Sequence, residues 1–252
     1  MTPTRTAAAT SAAALALLLA PGALASGPGP GASQELAEGV RTTVLSNPSG
    51  TSRWAYPTRA GLIRSRPRVG TRVRGRLRLL TEDGLPDVYL LQARRQGPGG
   101  EDWVKLGIPG RPNGRTGWVP RDALGSFRRT ITSVTVSRKL RRVSVRRNGK
   151  RVARFQIGIG KTGTPTPAGR FWIREKFRVA GRGSLYGPRA LGTSAYAPYL
   201  TDWPSGGVVG FHGTNQPGLL PGRVSHGCIR LRNKDILRFY RLVGVGTPVT
   251  IR

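Results

Sequence analysis

The chain has 252 residues and a formal net charge of +31 at pH 7, because 42 lysines and arginines outweigh 11 acidic residues. This length allows two small domains. The charge attracts the chain to any polyanion and does not choose among nucleic acid, anionic lipid and the anionic polymers of a cell wall. The basic residues are spread along the whole chain, which disfavours a dedicated nucleic-acid tail.

Residues 1–25 have the pattern of a secretory signal peptide. Arg5 precedes a short apolar stretch, and an Ala-x-Ala pattern ends at Ala25. The stretch is shorter than the roughly 20 residues that span a bilayer, so cleavage near Ala25 is favoured over an uncleaved anchor. We therefore expect a secreted protein of the cell envelope or cell wall, in which residues 26–55 form a flexible leader.

Residues 56–126 have the pattern of a small β-barrel, because short apolar strands alternate with turns rich in glycine and proline. The Gly-Trp-Val-Pro segment at 117–120 resembles the closing strand of bacterial SH3-like domains. That resemblance implies a wall-binding or spacer module. Trp103 and Trp118 could equally be ordinary core residues of the barrel.

The pattern of residues 130–252 predicts a second, mainly β domain. Asn148-Gly149 between two alternating strands is typical of a hairpin with a type I′ turn. One helix is expected from Asn233 to Val243, with Asn233 as its N-cap. A last strand is expected from Thr247 to Ile251.

The chain's only cysteine, Cys228, follows shortly after its only two histidines, His212 and His226. A nearby base raises the thiolate fraction of a thiol, and histidine is the usual base near neutral pH. An exported protein with one cysteine has no internal disulfide partner for it, which favours a functional thiol. The segment therefore predicts a Cys/His nucleophilic site.

A zinc site is the rival chemistry, since two imidazoles and a thiolate could provide three ligands. The sequence has no Cys-x-x-Cys pair and no His-Glu-x-x-His helix, so we expect no metal.

Four segments in this order resemble the L,D-transpeptidases of bacterial cell walls: 160–169, 186–191, 211–214 and 225–231. The resemblance covers about residues 131–252 and implies a β-sandwich or barrel catalytic domain with one or two short helices and no cofactor. Many members have asparagine two residues after the cysteine, where this chain has Arg230.

The resemblance implies that Cys228 takes the acyl group of a peptidoglycan stem tetrapeptide and passes it to an acceptor amine, which makes a 3→3 cross-link. Water as the acceptor would make the enzyme an L,D-carboxypeptidase. His212 would be the general base, oriented by a carbonyl near Gly213, while His226 would shape the pocket. The reverse assignment stays open, because residues two apart in an extended segment face the same side.

Further site residues are expected around this centre. The backbone N–H groups of Gly227 and Cys228 are natural oxyanion donors, with the Gly213 backbone nearby. Arg230 either binds a substrate carboxylate or pairs with an acidic residue. Ser225 is expected to form local hydrogen bonds.

The resemblance also places a lid over the donor site, at about residues 174–203. Tyr186 and Tyr199 are candidates to line this lid, although both could be packing residues.

Peptidoglycan stem peptides are the expected partners, anionic wall polymers are a further candidate, nucleic acid is not expected, and we expect a monomer. Two other hypotheses remain, a non-catalytic wall-binding protein and a zinc peptidase.

Overall fold

A computed structural model describes residues 41–47, 50–181, 183–201 and 204–252. The predicted signal peptide, and the predicted leader as far as residue 40, lie outside the described residues. The described part is mainly β, which confirms the predicted fold class, and it contains one α-helix. No helix in these ranges is long and apolar enough to cross a membrane.

The first sheet is antiparallel and has the strand order β4-β3-β7-β6-β5-β2-β8, with β1 also paired to β5. Its strands are β1 (Thr43–Val44), β2 (Ser52–Ala55), β3 (Gly61–Arg64), β4 (Val73–Leu77), β5 (Tyr89–Gln96), β6 (Asp102–Gly107), β7 (Thr116–Pro120) and β8 (Arg128–Thr130). Alternate residues on these strands point inward, as expected for a half-buried strand. They form a core of their own that includes Ile63, Leu91 and Leu106.

The order of the chain begins earlier than the sequence predicts. β2 lies inside the segment assigned to a flexible leader, yet it pairs with β5 and β8, and its Trp54 is buried. β8 lies at the predicted boundary between the domains of residues 56–126 and 130–252, and it is part of the first sheet. Because β2 has only four residues, it is too short to show a periodic pattern, and the sequence did not predict it.

The second sheet has the order β11-β10-β9-β18-β13-β14-β15-β17, and a two-stranded sheet pairs β12 with β16. These strands are β9 (Thr132–Ser137), β10 (Arg142–Arg147), β11 (Lys150–Gln156), β12 (Ile159–Gly160), β13 (Gly169–Arg178), β14 (Arg189–Tyr196), β15 (Val208–His212), β16 (Arg223–Ser225), β17 (Ile229–Arg230) and β18 (Pro248–Ile251). The predicted hairpin joins β10 to β11, and Asn148 and Gly149 have φ values of 48° and 76°. Two positive φ values are what a type I′ turn requires, so the predicted turn is confirmed.

The helix α1 (Asn233–Leu242) packs Ile236 and Phe239 into the core of the second sheet. Its existence is confirmed, but the prediction of its N-cap is wrong. Arg232 is the N-cap and makes no side-chain capping bond. The Asn233 side chain instead accepts a hydrogen bond of 2.9 Å from the N–H of Thr214, which follows His212 and Gly213.

The two sheets are joined by a buried ion-pair network centred on Arg174 of β13. The Arg174 Nε and Nη2 atoms donate to the two carboxylate oxygens of Asp87 at 2.8 and 2.7 Å, and both side chains are fully buried. Arg174 Nη1 also donates to Glu82 at 2.8 Å. Burial tends to raise the pKa of Glu82, but Arg174 and hydrogen bonds from Tyr196 and Arg78 outweigh it and lower that pKa to about 2.

Candidate active site

The predicted reactive side chains meet at one cavity of about 150 Å³. Six of the predicted site residues line it: Tyr186, His212, Ser225, His226, Cys228 and Arg230. Tyr199 is not in this lining, and 73% of its surface is exposed to solvent. A chain position inside a predicted lid does not determine the direction of the side chain, which explains why Tyr199 lies elsewhere.

Strand pairing brings the two halves of the site together. β15 and β17 run parallel, with Phe211 opposite Ile229 and His212 opposite Arg230. Phe211 and Ile229 are fully buried in the core. Because successive side chains on a strand point to opposite faces, His212 and Arg230 turn towards the cavity.

A tight turn carries the thiol. Ser225 Oγ donates to the Cys228 carbonyl at 2.6 Å and accepts from the Gly227 N–H at 3.2 Å. Gly227 has a φ of 125°, a conformation that side chains other than hydrogen rarely allow. Ser225 thus forms the local hydrogen bonds expected of it. The Gly227 N–H is already engaged, contrary to the expectation that it points at an oxyanion, so the Cys228 N–H is the remaining candidate of the two.

The loop between β12 and β13 holds this turn from the other side, a contact that the sequence analysis missed. The Thr166 hydroxyl is buried, donates to the Gly227 carbonyl at 2.7 Å and accepts from the Gly160 N–H at 2.9 Å. A Cβ at Gly160 would lie 2.2 Å from the Thr164 carbonyl oxygen. The only sequence signal was a hydroxyl residue between two prolines, in a segment interpreted as a family motif.

His212 is held in one tautomer. Its side chain is 4% exposed, and Nδ1 lies 2.6 Å from the Gly213 carbonyl oxygen. A carbonyl oxygen can only accept, so the proton is on Nδ1 and Nε2 carries the free lone pair. Burial, reinforced by the charge of Arg230, lowers the pKa of His212 to about 4. The imidazole is therefore neutral near pH 7.

Gly213 serves His212 through its carbonyl group, while its N–H donates to the Arg189 carbonyl at 3.4 Å. The Gly213 N–H is thus engaged with the Arg189 carbonyl oxygen. The Tyr186 ring lies beside the imidazole, with ring centroids 4.8 Å apart. This aromatic contact excludes water from one side of the base.

Cys228 is a free, half-buried cysteine. Burial raises the pKa of its thiol, and a hydrogen bond with the Gly210 backbone and the charge of Arg230 act in the opposite direction. The Sγ atom lies 3.9 Å from the Val208 carbonyl oxygen, within reach of a weak S–H donor. The resting form is therefore a thiol that lines the same cavity as a neutral imidazole.

Arg230 makes no ion pair with any acidic residue in the described part of the chain, and its buried Nε has no hydrogen-bond partner there. Of its two predicted roles, a structural pair with an acidic residue is thus not seen. The described residues also contain no group of three His, Cys, Asp or Glu side chains arranged to hold a metal ion.

A second cavity, of about 380 Å³, also reaches Cys228 and His212, and its lining includes Asp83 and Glu175. The buried Glu175 accepts a 2.6 Å hydrogen bond from the Thr81 hydroxyl. Burial is the main cause that raises the pKa of Glu175 to about 7, and the charge of the neighbouring Asp83 adds to it. The hydrogen bond from Thr81 acts in the opposite direction. Asp83 belongs to the first sheet's β4–β5 loop, so no pattern local to the catalytic segment indicates it.

The first sheet also braces the wall of the smaller cavity. Arg111 donates to the carbonyl oxygens of Ala197 at 2.9 Å, Gly206 at 3.0 Å and Leu200. Asn113 forms two hydrogen bonds with the backbone of Tyr196, at 2.8 and 2.9 Å. Since Ala197 and Leu200 line the cavity beside Cys228, these contacts hold the wall of the site from outside.

Known proteins resemble the second half of the chain, which carries this site. Residues 131–251 match the YkuD family, described as the L,D-transpeptidase catalytic domain. The putative L,D-transpeptidase YkuD of Bacillus subtilis is 32% identical over 120 residues, which cover 47% of this chain and 64% of that protein. The probable L,D-transpeptidase ErfK/SrfK of Escherichia coli is 35% identical over 113 residues, which cover 38% of this chain and 36% of that protein.

A crystal structure of an L,D-transpeptidase from Mycobacterium tuberculosis aligns with a TM-score of 0.43 at 18% identity, over 66% of this chain and 90% of that one. The chain spans less than two thirds of the length of the Bacillus subtilis YkuD and Escherichia coli ErfK/SrfK proteins. The segment of residues 131–251, which carries Cys228 and both histidines, is an L,D-transpeptidase catalytic domain of the YkuD family.

Proposed function

We propose that the protein is an exported cysteine L,D-transpeptidase that remodels peptidoglycan, with Cys228 as nucleophile and His212 as general base. One observation carries the proposal. The half-buried thiol of Cys228 and the imidazole of His212 line the same cavity, and the Gly213 carbonyl leaves His212 Nε2 as the proton acceptor. The domain's family membership supports the substrate class, which is the stem peptide of peptidoglycan.

Acylation begins from the neutral pair. As Cys228 Sγ forms a bond to the carbonyl carbon of the L–D peptide bond, its proton passes to His212 Nε2. The Cys228 N–H donates to the developing oxyanion. When the C–N bond breaks, the imidazolium returns the proton to the leaving amine of the terminal D-residue. A thioester remains on Cys228.

Transfer reverses these steps with a different amine. The side-chain amine of a second stem peptide attacks the thioester, His212 accepts its proton, and the C–S bond breaks to regenerate the thiol. A 3→3 cross-link results, and no outside energy source is needed because the thioester keeps the free energy of the cleaved peptide bond. Attack by water in place of the amine gives the carboxypeptidase product.

The proposal assigns Arg230 to a carboxylate of the donor peptide. Its guanidinium lines the cavity, and within the described residues no acidic side chain pairs with it. Arginine binds carboxylates through two parallel N–H donors, which sets the orientation of the bound peptide as well as its affinity. Export, with cleavage near Ala25, is part of the same proposal and rests on the sequence pattern of residues 1–25.

The test is mass spectrometry of residues 26–252 incubated with a disaccharide tetrapeptide, for the wild type, Cys228→Ala and Tyr199→Phe. We expect a thioester adduct and 3→3 dimers with the wild type and with Tyr199→Phe, whose side chain lies outside the cavity. Cys228→Ala should give neither product. Dimers formed by Cys228→Ala would exclude the cysteine mechanism.

Two further readouts separate the alternatives. Activity lost with a chelator and restored by Zn²⁺ would favour a zinc peptidase. Binding to isolated sacculi without turnover or thiol labelling would favour a wall-binding protein without catalysis. The ratio of dimer to tripeptide measures the balance between transfer to an amine and hydrolysis.

A further inference from the structure

The outer face of the second sheet carries an unusual set of side chains. Along β9 and β10, the residues that alternate with the buried Val134, Val136, Val143 and Val145 point outward. They form what we call the arginine–hydroxyl face: Ser133, Thr135, Ser137, Arg142, Ser144, Arg146, Arg151, Arg154, Gln156, Arg170 and Thr250. The exposed part of this face contains no acidic or aromatic side chain. Its apolar residues are Val152, which is 39% exposed at the bulge beside Arg151, and the buried Trp172, two residues after Arg170.

Strand register orders the face into rows. One row crosses five strands, as Arg170 lies opposite Thr250, Thr250 beside Thr135, Thr135 opposite Ser144, and Ser144 opposite Arg154. Neighbouring strands are about 4.8 Å apart, so the row spans about 19 Å between its two arginines. Three hydroxyl groups thus separate two guanidinium groups along one line.

A second row places like charges together. Arg146 lies directly opposite Arg151 on the neighbouring strand, and like charges in this position destabilise a sheet. Within the described part of the chain, none of the five arginines of the face makes an ion pair, a side-chain hydrogen bond or a ring contact. The described residues therefore provide no acidic partner for these five guanidinium groups, although a bound anion would stabilise them.

We propose that the arginine–hydroxyl face binds a linear polymer of phosphates bridged by polyol or sugar units. Guanidinium groups bind phosphates through paired N–H donors. The serine and threonine hydroxyls between them can donate to and accept from the hydroxyl groups of the bridging units. The row of about 19 Å, whose Arg170 end lines a cavity with Ser46 and Arg115 of the first-sheet region, fits several consecutive repeats of an extended chain.

The same observations disfavour the other polyanions. Proteins that bind single-stranded nucleic acid stack its bases on exposed aromatic side chains, and the one aromatic residue of this face, Trp172, is buried. Proteins that lie on a membrane insert several large apolar side chains, whereas this face exposes only Val152. The polymer proposal does not depend on the cysteine chemistry, because the face lies on strands that carry no residue of the cavity.

The experiment measures binding of a fluorescent poly(glycerol phosphate) to residues 26–252 by anisotropy over a range of NaCl concentrations. The face variant replaces Arg142, Arg146, Arg151 and Arg154 with glutamine. The control replaces four exposed arginines of the first sheet region, Arg68, Arg72, Arg74 and Arg76, with glutamine. Both variants lose the same charge, so a general effect of net charge acts on them equally.

We expect the face variant to bind at least tenfold more weakly and the control less than threefold. Since each lost phosphate contact lowers the salt dependence by about 0.7–0.9 in log K against log salt, the face variant should lose about 3 in slope. Equal losses in the two variants would overturn the proposal. The circular dichroism spectrum and the midpoint of urea denaturation should be unchanged in both variants, which shows that they fold.

A second pair of measurements identifies the ligand class. Thr135→Val with Ser144→Ala should weaken binding of poly(glycerol phosphate) and leave binding of inorganic polyphosphate unchanged. Binding of oligo-dT and of phosphatidylglycerol vesicles is measured with the same face variant. If the variant loses more affinity for either of these ligands than for poly(glycerol phosphate), the assignment to polyol phosphates is overturned.

Discussion

The two sheets of this protein differ in what they contribute to the candidate site. The second sheet, with its loops, holds the chain's cysteine and both histidines, while the described first-sheet region contains none. The first sheet instead provides Asp87 to the buried Arg174, Arg111 to the cavity wall and Asp83 to the second cavity. One sheet thus provides the reactive groups, and the other keeps the walls around them in place.

The segment that matches the family and the set of residues that shapes the site therefore have different boundaries. The family match begins at residue 131, yet three contacts that shape the site come from residues before it. Substitutions in the second sheet should therefore alter chemistry, and those in the first should alter the stability or shape of the site. The following predictions test this division.

The largest effect is expected at the proposed general base. His212→Gln should slow thioester formation by about 10²- to 10⁴-fold, the usual contribution of a positioned acid or base. His226→Gln is the matched control and should cost less than tenfold, because this histidine is exposed, whereas His212 is buried. Intact-protein mass spectrometry over time measures both. The opposite order of effects would assign the base to His226.

The next effect concerns the joint between the sheets. Arg174→Met leaves the buried carboxylate of Asp87 without its partner and should lower the free energy of unfolding by about 3–5 kcal/mol. Arg94→Met breaks an exposed pair with Asp102 and should cost less than about 1 kcal/mol. Urea denaturation measures both changes.

Adding Asp87→Leu to Arg174→Met should recover most of the lost stability, since the Asp87 carboxylate is then no longer buried without a partner, and Glu82 keeps its ion pair with Arg78. A small loss in Arg174→Met, similar to that in Arg94→Met, would contradict the role of this network.

A smaller effect is expected for the brace on the cavity wall. Arg111→Met removes three hydrogen bonds to carbonyl groups beside the cavity and should slow thioester formation about tenfold, as displaced reacting groups do. Arg121→Met is the control, because Arg121 donates to the Leu124 carbonyl within the first sheet. The control should leave the rate unchanged. Equal rates in the two variants would show that Arg111 only stabilises the fold.

The smallest effect is a dependence of stability on pH. The folded pKa of Glu175, about 7, lies above its unfolded value, so the folded state binds more protons between about pH 4.5 and 7. Stability due to this group is therefore lost as the pH rises through that range. Asp83, Thr81 and Arg174 surround the carboxyl group, and the first of them drives the shift together with burial.

Glu175→Gln should remove this loss and raise the melting temperature at pH 8, relative to the wild type, by about 2–4 °C. The difference between variant and wild type is measured, because His212 also titrates. Its folded pKa of about 4 lies below the unfolded value, so its contribution is lost as the pH falls below about 6.5. A constant difference across pH 5–8 would contradict the shift at Glu175.

Much of the site could be predicted because its signals are local. The position of Cys228 near two histidines is visible in one segment, and the Asn148-Gly149 turn needs only the backbone preferences of two residues. Ser225 forms the local bonds expected of it, since its partners are two and three residues away. The hydrogen bond that occupies the Gly227 N–H was not predicted, because the sequence does not show whether a backbone amide is free or bonded.

The sequence alone determined the alternation that builds two β cores, the segment that carries the chemistry and the residue types available for it. These properties depend on neighbours along the chain, and the period of a strand or a turn expresses them directly. Only the tertiary structure decided that His212 faces Arg230, that Thr166 supports the turn of Cys228, and that Arg111 and Asp83 of the first sheet reach the cavities. Such contacts join residues tens of positions apart, and strand order and register place them together, which no local pattern encodes.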